Sequence, residues 1–355
     1  MKSTTDELLN EIDSARNSLK TDRLDMSFGE IMSMYEREEI IINPEFQRFY
    51  RWTDYQKTRF MESVFLGIPI PPIFVAEDGN GRWELVDGLQ RLSTILSFFG
   101  ILKTMPEKNN WVMEDGEIVK SLEGYSQEDL PMKLQLNVKR ATCRVEIIKW
   151  DSEYDMRFEL FNRLNTGGTP LTDQEIRNCI FRGVSSEFND FLKNLSSNQK
   201  FMKLIGATQQ QIHELYLEEL VLRFMAMYKN VDNIKSSMGQ HMTEFMKKAV
   251  YQNDFPYEKY ETIFNRTIDI LHPCGAEIFK SRNNVFGKGN YDVIIIGIAE
   301  NIHLYSGATP KQIKEKVFNE VRKDAVIQKI TRRGGNNAVQ RVRNRIREAN
   351  RIFGN

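Results

Sequence analysis

The residues able to do chemistry in this 355-residue chain gather in three short polar segments, each bracketed by apolar or aromatic neighbours. The first is Asn43-Pro44-Glu45-Phe46-Gln47-Arg48-Phe49-Tyr50-Arg51-Trp52 and the second is Asp87-Gly88-Leu89-Gln90-Arg91. The third runs from Phe161 through Asn162, Arg163, Leu164, Asn165 and the pair Gly167-Gly168 to Asp173. In the second, an apolar run ends at Asp87, Gly88 permits a tight turn, and a helix begins at Leu89 or Gln90. Unbonded backbone N–H groups at such a helix start, with Arg91 beside them, suit phosphate. Asp87 could hold a metal or a hydroxyl, and Gln90 could hydrogen-bond a base or a sugar. The same residues also read as an N-cap at Asp87 and a surface ion pair at Arg91. In the first segment the planar guanidinium groups of Arg48 and Arg51 suit phosphate, and Glu45 is the nearest carboxylate for a base or a metal ligand. The alternative there is aromatic packing with arginines at the surface. In the third, Asn162 and Asn165 share one helix face and could serve a nucleotide or metal, or simply end a helix before glycine.

Secondary elements must position these groups. Helical spacing covers residues 6–19 and 27–35, and the β-branched run 40–42 reads as a strand stopped by Pro44. Thr53-Asp54 opens a helix with Phe60, Val64 and Phe65 on one face, which Pro69, Pro71 and Pro72 end. Strands at 73–75 and 83–86 flank turn-forming residues 77–81, and the helix 89–99 carries Leu92, Ile95, Leu96 and Phe99 on its apolar side. Residues 141–148 alternate as a half-buried strand does. Beyond residue 151 the pattern is helical, over 153–164, 173–181, 209–228, 238–251, 257–271, 291–304, 310–329 and 336–353; the run 293–296 suits a strand or a buried helix equally. The fold class expected is α+β over residues 1–150, with a small mixed sheet, followed by an all-helical domain over 151–355.

Composition bounds the function. Aromatic residues are 11%, charged 28% and apolar 41%, which excludes a disordered chain and fits a globular one. No apolar run approaches the roughly 18 residues that cross a bilayer. The first twenty residues form a polar helix pattern without the apolar stretch of a secretion signal. Cys143, Cys179 and Cys274 are odd in number and lack metal-type spacing, so a reducing, cytoplasmic setting is expected. His213, His241, His272 and His303 lack ligand spacing and read as helix or loop surface residues. Net charge is zero, yet residues 329–351 hold eight basic residues against Glu348 alone, among them Arg332, Arg333, Arg341 and Arg345. Such a segment suits an anionic partner or a solvated helix face. Walker-type, dinucleotide-binding, HExxH and GxSxG motifs are all missing.

Taken in order, Pro44-Glu45-Phe46-Gln47-Arg48-Phe49-Tyr50-Arg51-Trp52, Gly67-Ile68-Pro69-Ile70-Pro71-Pro72 and Asp87-Gly88-Leu89-Gln90-Arg91-Leu92-Ser93-Thr94 resemble the bacterial "domain of unknown function 262" family, with its DGQQR motif. Residues 161–175 match a later segment of that family, ending in Leu171, Thr172 and Glu175. The resemblance implies a fold related to ParB and sulfiredoxin. It also implies kinship with the N-terminal parts of GmrSD-type modification-dependent restriction enzymes and of the phosphorothioate-sensing protein SspE, where the domain is linked to NTP hydrolysis and control of DNA cleavage. Carried over, Gln47, Arg48, Asp87, Gly88, Gln90, Arg91, Asn162 and Asn165 would bind the nucleotide. Asp87, Glu45 and Gln90 would serve hydrolysis, with Mg²⁺ on Asp87. Leu89 replaces the first glutamine of DGQQR, which weakens the expectation of hydrolysis more than that of binding.

The function expected is therefore a nucleotide-binding, NTP-hydrolysing regulator or sensor of a bacterial restriction or anti-phage system. Its expected partners are a nucleotide, DNA, and a separate nuclease or methyltransferase, with no membrane and with oligomerisation open. Two alternatives stand beside it. One is a DNA-binding module that uses Arg332, Arg333, Arg341 and Arg345, with binding that weakens steeply with salt. The other is a nuclease built on Glu45, Glu84 and Asp87.

Overall fold

The computed structural model describes residues 4–18, 20–42, 50–149, 160, 163, 171–182, 184–281, 284–331 and 337–354. Two compact units divide the chain, Met1–Leu171 and Thr172–Asn355. The first is α+β with a mixed sheet and the second is helical, in keeping with the fold class read from the sequence.

In the N-terminal unit, helix α1 (Thr5–Ser18) is followed by β1 (Thr21–Ser27), α2 (Phe28–Glu36), β2 (Ile40–Ile41) and α3 (Asp54–Phe65). Then come β3 (Ile73–Glu77), β4 (Trp83–Asp87), α4 (Leu89–Phe98), α5 (Met132–Arg140) and β5 (Thr142–Ile148). The strand order is β1-β5-β3-β4-β2, with β5/β3 and β4/β2 parallel and the other pairs antiparallel. The apolar run Ile73–Val75 is a central strand, and the Asp78–Arg82 turn returns the chain as β4. On α4 the completely buried Leu92, Ile95, Leu96 and Phe98 join Ile73, Val75, Leu85 and Val145 in one core. Burial of such side chains contributes about 1.5–3 kcal/mol each, which fixes α4 against the sheet.

Two elements of the N-terminal unit lay outside the sequence expectation, as did the helices Ser186–Ser196 and Gln199–Ile205 of the second unit. Strand β1 is largely exposed and has no apolar alternation. It forms because it pairs along its whole length with β5 and because Arg23–Glu146 and Arg144–Asp25 ion pairs, at 3.0 and 2.9 Å, cross the ladder. Helix α5 buries only Val138 among its own residues, so its sequence carries little helical stripe.

The helical unit contains α6 (Asp173–Arg182), α7 (Ser186–Ser196), α8 (Gln199–Ile205), α9 (Gln209–His213), α10 (Tyr216–Met227), α11 (Met238–Tyr251), α12 (Tyr257–Leu271) and α13 (Lys288–Glu300). It ends with α14 (Ile302–Tyr305), α15 (Pro310–Glu315), a π-helical turn at Lys316–Val321, α16 (Ala325–Thr331) and α17 (Val339–Phe353). The ambiguous run Val293–Ile296 lies in α13, buried on all sides. The expected helix 209–228 is two helices, broken where Leu215 takes φ 56°. The expected helix 153–164 falls almost wholly outside the described residues.

Candidate functional site

Strand β4 delivers the Asp87–Arg91 turn through an irregularity. Phe74 pairs with Asp87 while Val75 pairs with Leu85, so Val86 is one extra residue on β4 and the last residue is re-aimed. Gly88 follows in the left-handed region at φ 99°. A Cβ there would lie 2.5 Å from Ile73 Cγ2, so both torsion and space require glycine. Helix α4 starts at the next residue, its first backbone bond running from Leu92 N–H to the Gly88 carbonyl at 2.9 Å. Side chains of Ser27 and Thr53 cap α2 and α3, whereas no side chain caps α4. The positive end of its backbone dipole is thus not neutralised by a capping side chain.

Arg91 is held firmly. Its Nη1 donates to the carbonyl oxygens of Pro71 and, at 2.9 Å, Pro72, and its Nη2 to Asp87 Oδ2 at 2.9 Å. The side chain is 14% exposed, against 41% for Asp87. The sequence reading missed this use of the Gly67–Pro72 segment. Its signal was the pair of adjacent prolines, which keep the segment out of a regular helix or ladder and so leave its carbonyls open to a side-chain donor. Gln90 holds a second segment, since its Oε1 accepts from the backbone N–H groups of Arg51 and Trp52, both at 3.1 Å. Buried Tyr50 meets Ser97 Oγ at 2.9 Å, and Trp52 packs on Phe60. Three stretches distant in sequence, around 50–52, 71–72 and 87–91, therefore meet at the first turn of α4.

Among the predicted site residues, Asp87, Gly88, Gln90 and Arg91 are together. Glu45, Gln47, Arg48, Asn162, Asn165, Arg332 and Arg333 lie outside the described residues. Among the described residues there is no cluster of three His, Cys, Asp or Glu side chains able to hold a metal. Asp87 Oδ1 is not engaged in the bond to Arg91, so a Mg²⁺ ion there would rest on one carboxylate and on a ligand's own phosphate oxygens, a common arrangement for that metal.

The basic C-terminal helix has a different use from the one expected. Arg345 is completely buried and meets Asp292 Oδ2 at 3.1 Å. Asp292, also buried, takes a bidentate pair from Arg223 at 2.6 and 2.7 Å. Arg345 therefore lies in the core of the helical unit and does not offer its guanidinium to DNA. It sits in the buried stripe of Val342, Ile346, Ala349, Ile352 and Phe353, and Arg341 beside it is half-buried. Towards the surface Arg347 pairs with Asp232, and Arg351 pairs with Glu348 and Asp324. His241, expected at a surface, is likewise buried, 4% exposed, with Nε2 against the Ala226 carbonyl at 3.0 Å. Burial holds its pKa below the ordinary histidine value.

Residues 28–182 match the family model described as the GmrSD restriction endonuclease N-terminal domain. The match takes in the sheet from β2 to β5, the Asp87–Arg91 turn and the helix α6, and covers less than half of the chain. No curated protein and no solved structure matches the chain at a significant level. No described helix is long and apolar enough to cross a membrane.

Proposed function

We propose, from the membership of residues 28–182 in the GmrSD restriction endonuclease N-terminal family, that this chain is the nucleotide-responsive component of a DNA-restriction system. The observation that supports nucleotide binding is the uncapped first turn of α4, opened by the left-handed Gly88 and flanked by Asp87 and Arg91. Phosphate oxygens of a nucleoside triphosphate sit on the backbone N–H groups of that turn. Gln47 and Arg48 contribute from the segment that precedes Arg51, and Asn162 and Asn165 close the pocket. Arg91 supplies positive charge while its bonds to Pro71 and Pro72 fix the turn. Gln90 positions the 51–52 backbone through its oxygen. Bound Mg²⁺ would offset phosphate charge beside Asp87. With Leu89 in place of an amide side chain, turnover is slow relative to binding, and the nucleotide acts as a switch more than as a fuel. DNA is the polymer acted on, and its cleavage is performed with a partner nuclease.

A thermal-melt screen with ATP, GTP, CTP and UTP, each with Mg²⁺, tests this reading. At a hundredfold excess over Kd, a ligand bound only by the folded state adds about 2.7 kcal/mol of stability. A rise in Tm with at least one triphosphate is expected. No shift with any of the four overturns it.

A further inference from the structure

The helical unit contains a cleft that the preceding reading does not use. It has a volume of about 400 Å³, within the range of small-ligand sites, and lies between the α10–α11 connection and the start of α12. Its aromatic wall is continuous. Phe255 stacks on Tyr260 with ring planes 4° apart and centroids at 5.2 Å, and Phe245 meets both edge-on at 6.1 and 5.9 Å. Tyr228 closes the group at 6.5 Å from Tyr260. Phe245 and Tyr260 are only half-buried, so ring surface faces the cleft.

Three ammonium groups, from Lys229, Lys248 and Lys259, line the same cleft, with Glu244 as the one acid in its lining. All three lysines are exposed, and none of their ammonium groups forms an ion pair among the described residues, while the main-chain N–H of Lys229 donates to Glu300 Oε1 at 2.7 Å. Elsewhere in this unit Lys200, Lys288, Lys314 and Lys316 are paired with Asp269, Glu219, Glu277 and Glu320. The arginines at the surface of α17 are paired too. In this cleft three ammonium groups without ion-pair partners among the described residues stand beside exposed aromatic ring surface. Asn233 and Gln252 stand at its edge, and their side-chain oxygens accept no hydrogen bond among the described residues.

We infer that this cleft binds a nucleotide, its base on the Phe245–Tyr260 wall and its phosphates on Lys229, Lys248 and Lys259. Ring stacking holds a base without regard to its identity, and ammonium groups neutralise the backbone at the same time. A peptide of glutamates and aspartates alone matches the charges but presents no planar ring to the wall. The same chemistry occurs in a free mononucleotide and in an unpaired DNA strand. The site is separate from the Asp87–Arg91 turn, and the inference stands or falls independently of the triphosphate reading.

The test is fluorescence anisotropy of the full chain with a fluorescein-labelled 12-nucleotide single strand, over a salt series. Saturable binding is expected. The double variant K248A/K259A, altered only at exposed positions, should lose at least tenfold in affinity with unchanged Tm. The slope of log K against log salt should shrink by about 1.4, for two phosphates at roughly 0.7 each. K311A/K323A, with the same charge change away from the cleft, should bind as wild type does. Competition by AMP identifies the mononucleotide as the unit recognised, whereas displacement by unlabelled strand alone identifies the strand; both uphold the site. The inference is overturned by no binding, by equal losses in the two double variants, or by polyglutamate competing as well as DNA. Asp87→Asn should leave this binding unchanged, which separates its failure from failure of the reading at α4.

Discussion

Gln90 Oε1 accepts hydrogen bonds from the main-chain N–H groups of Arg51 and Trp52 at 3.1 Å each, so a single carboxamide ties the entry to α3 onto the first turn of α4. Loss of both bonds leaves two N–H groups to find new partners, at a cost of roughly 1–3 kcal/mol. Gln90→Ala should lower the urea midpoint of the N-terminal unit and change the emission of Trp52. Gln90→Glu, which still accepts from both amides, should restore most of the midpoint. Equal effects of the two variants would show that the bracket is not what matters.

Gly88 combines a left-handed backbone with contact to Ile73. Gly88→Ala should destabilise the unit by roughly 2 kcal/mol or more, from torsional strain and from displacement of a core side chain. Ile73→Ala in the same chain removes the shortest contact, that with Cγ2, and leaves the torsional strain, so the double variant should remain less stable than Ile73→Ala. Thermal unfolding of the three proteins checks this.

Glu62, 4% exposed on α3, organises a loop. Its Oε1 accepts from Val119 and Ile118 N–H at 2.6 and 2.9 Å, and Oε2 from Glu117 N–H at 3.3 Å. Burial pushes the carboxyl pKa up, but the three amides outweigh it and hold it below its usual value of 4.5. A depressed folded pKa gives stability that is complete above the ordinary glutamate pKa and is lost as pH falls through the lower folded value. Wild type should therefore lose more stability than Glu62→Gln between pH 6 and pH 3, by urea unfolding. Parallel losses would contradict the assignment.

Asp292 compensates two fully buried guanidinium groups, Arg223 and Arg345. Asp292→Asn leaves both charges in the core, and breaking a buried pair from one side costs about 3–5 kcal/mol. The helical unit should melt well below wild type. A Tm within a degree or two of wild type would show that the network is not a core element.

Periodicity made the α+β and helical division and the elements around the turn legible. Gly88 and the start of α4 follow from a strand, a glycine and an apolar helical face. The partners of Gln90 and Arg91 were not legible, because main-chain N–H and carbonyl groups have no sequence signature. Strand β1 was hidden because its pairing is provided by β5 and not by its own pattern. The α17 arginines misled for a related reason. A basic stripe records charge, while Asp292, Asp232 and Asp324, which neutralise it, come from far away in sequence.

The central claim is that a nucleoside triphosphate binds at the first turn of α4. It is tested most directly by calorimetric titration of the responsive triphosphate, with Mg²⁺, into wild type, Asp87→Asn and K248A/K259A. One site per chain is expected at this turn, weakened at least tenfold in Asp87→Asn with Tm retained, and unchanged in K248A/K259A. Wild-type affinity in Asp87→Asn, or loss only in K248A/K259A, would contradict the claim.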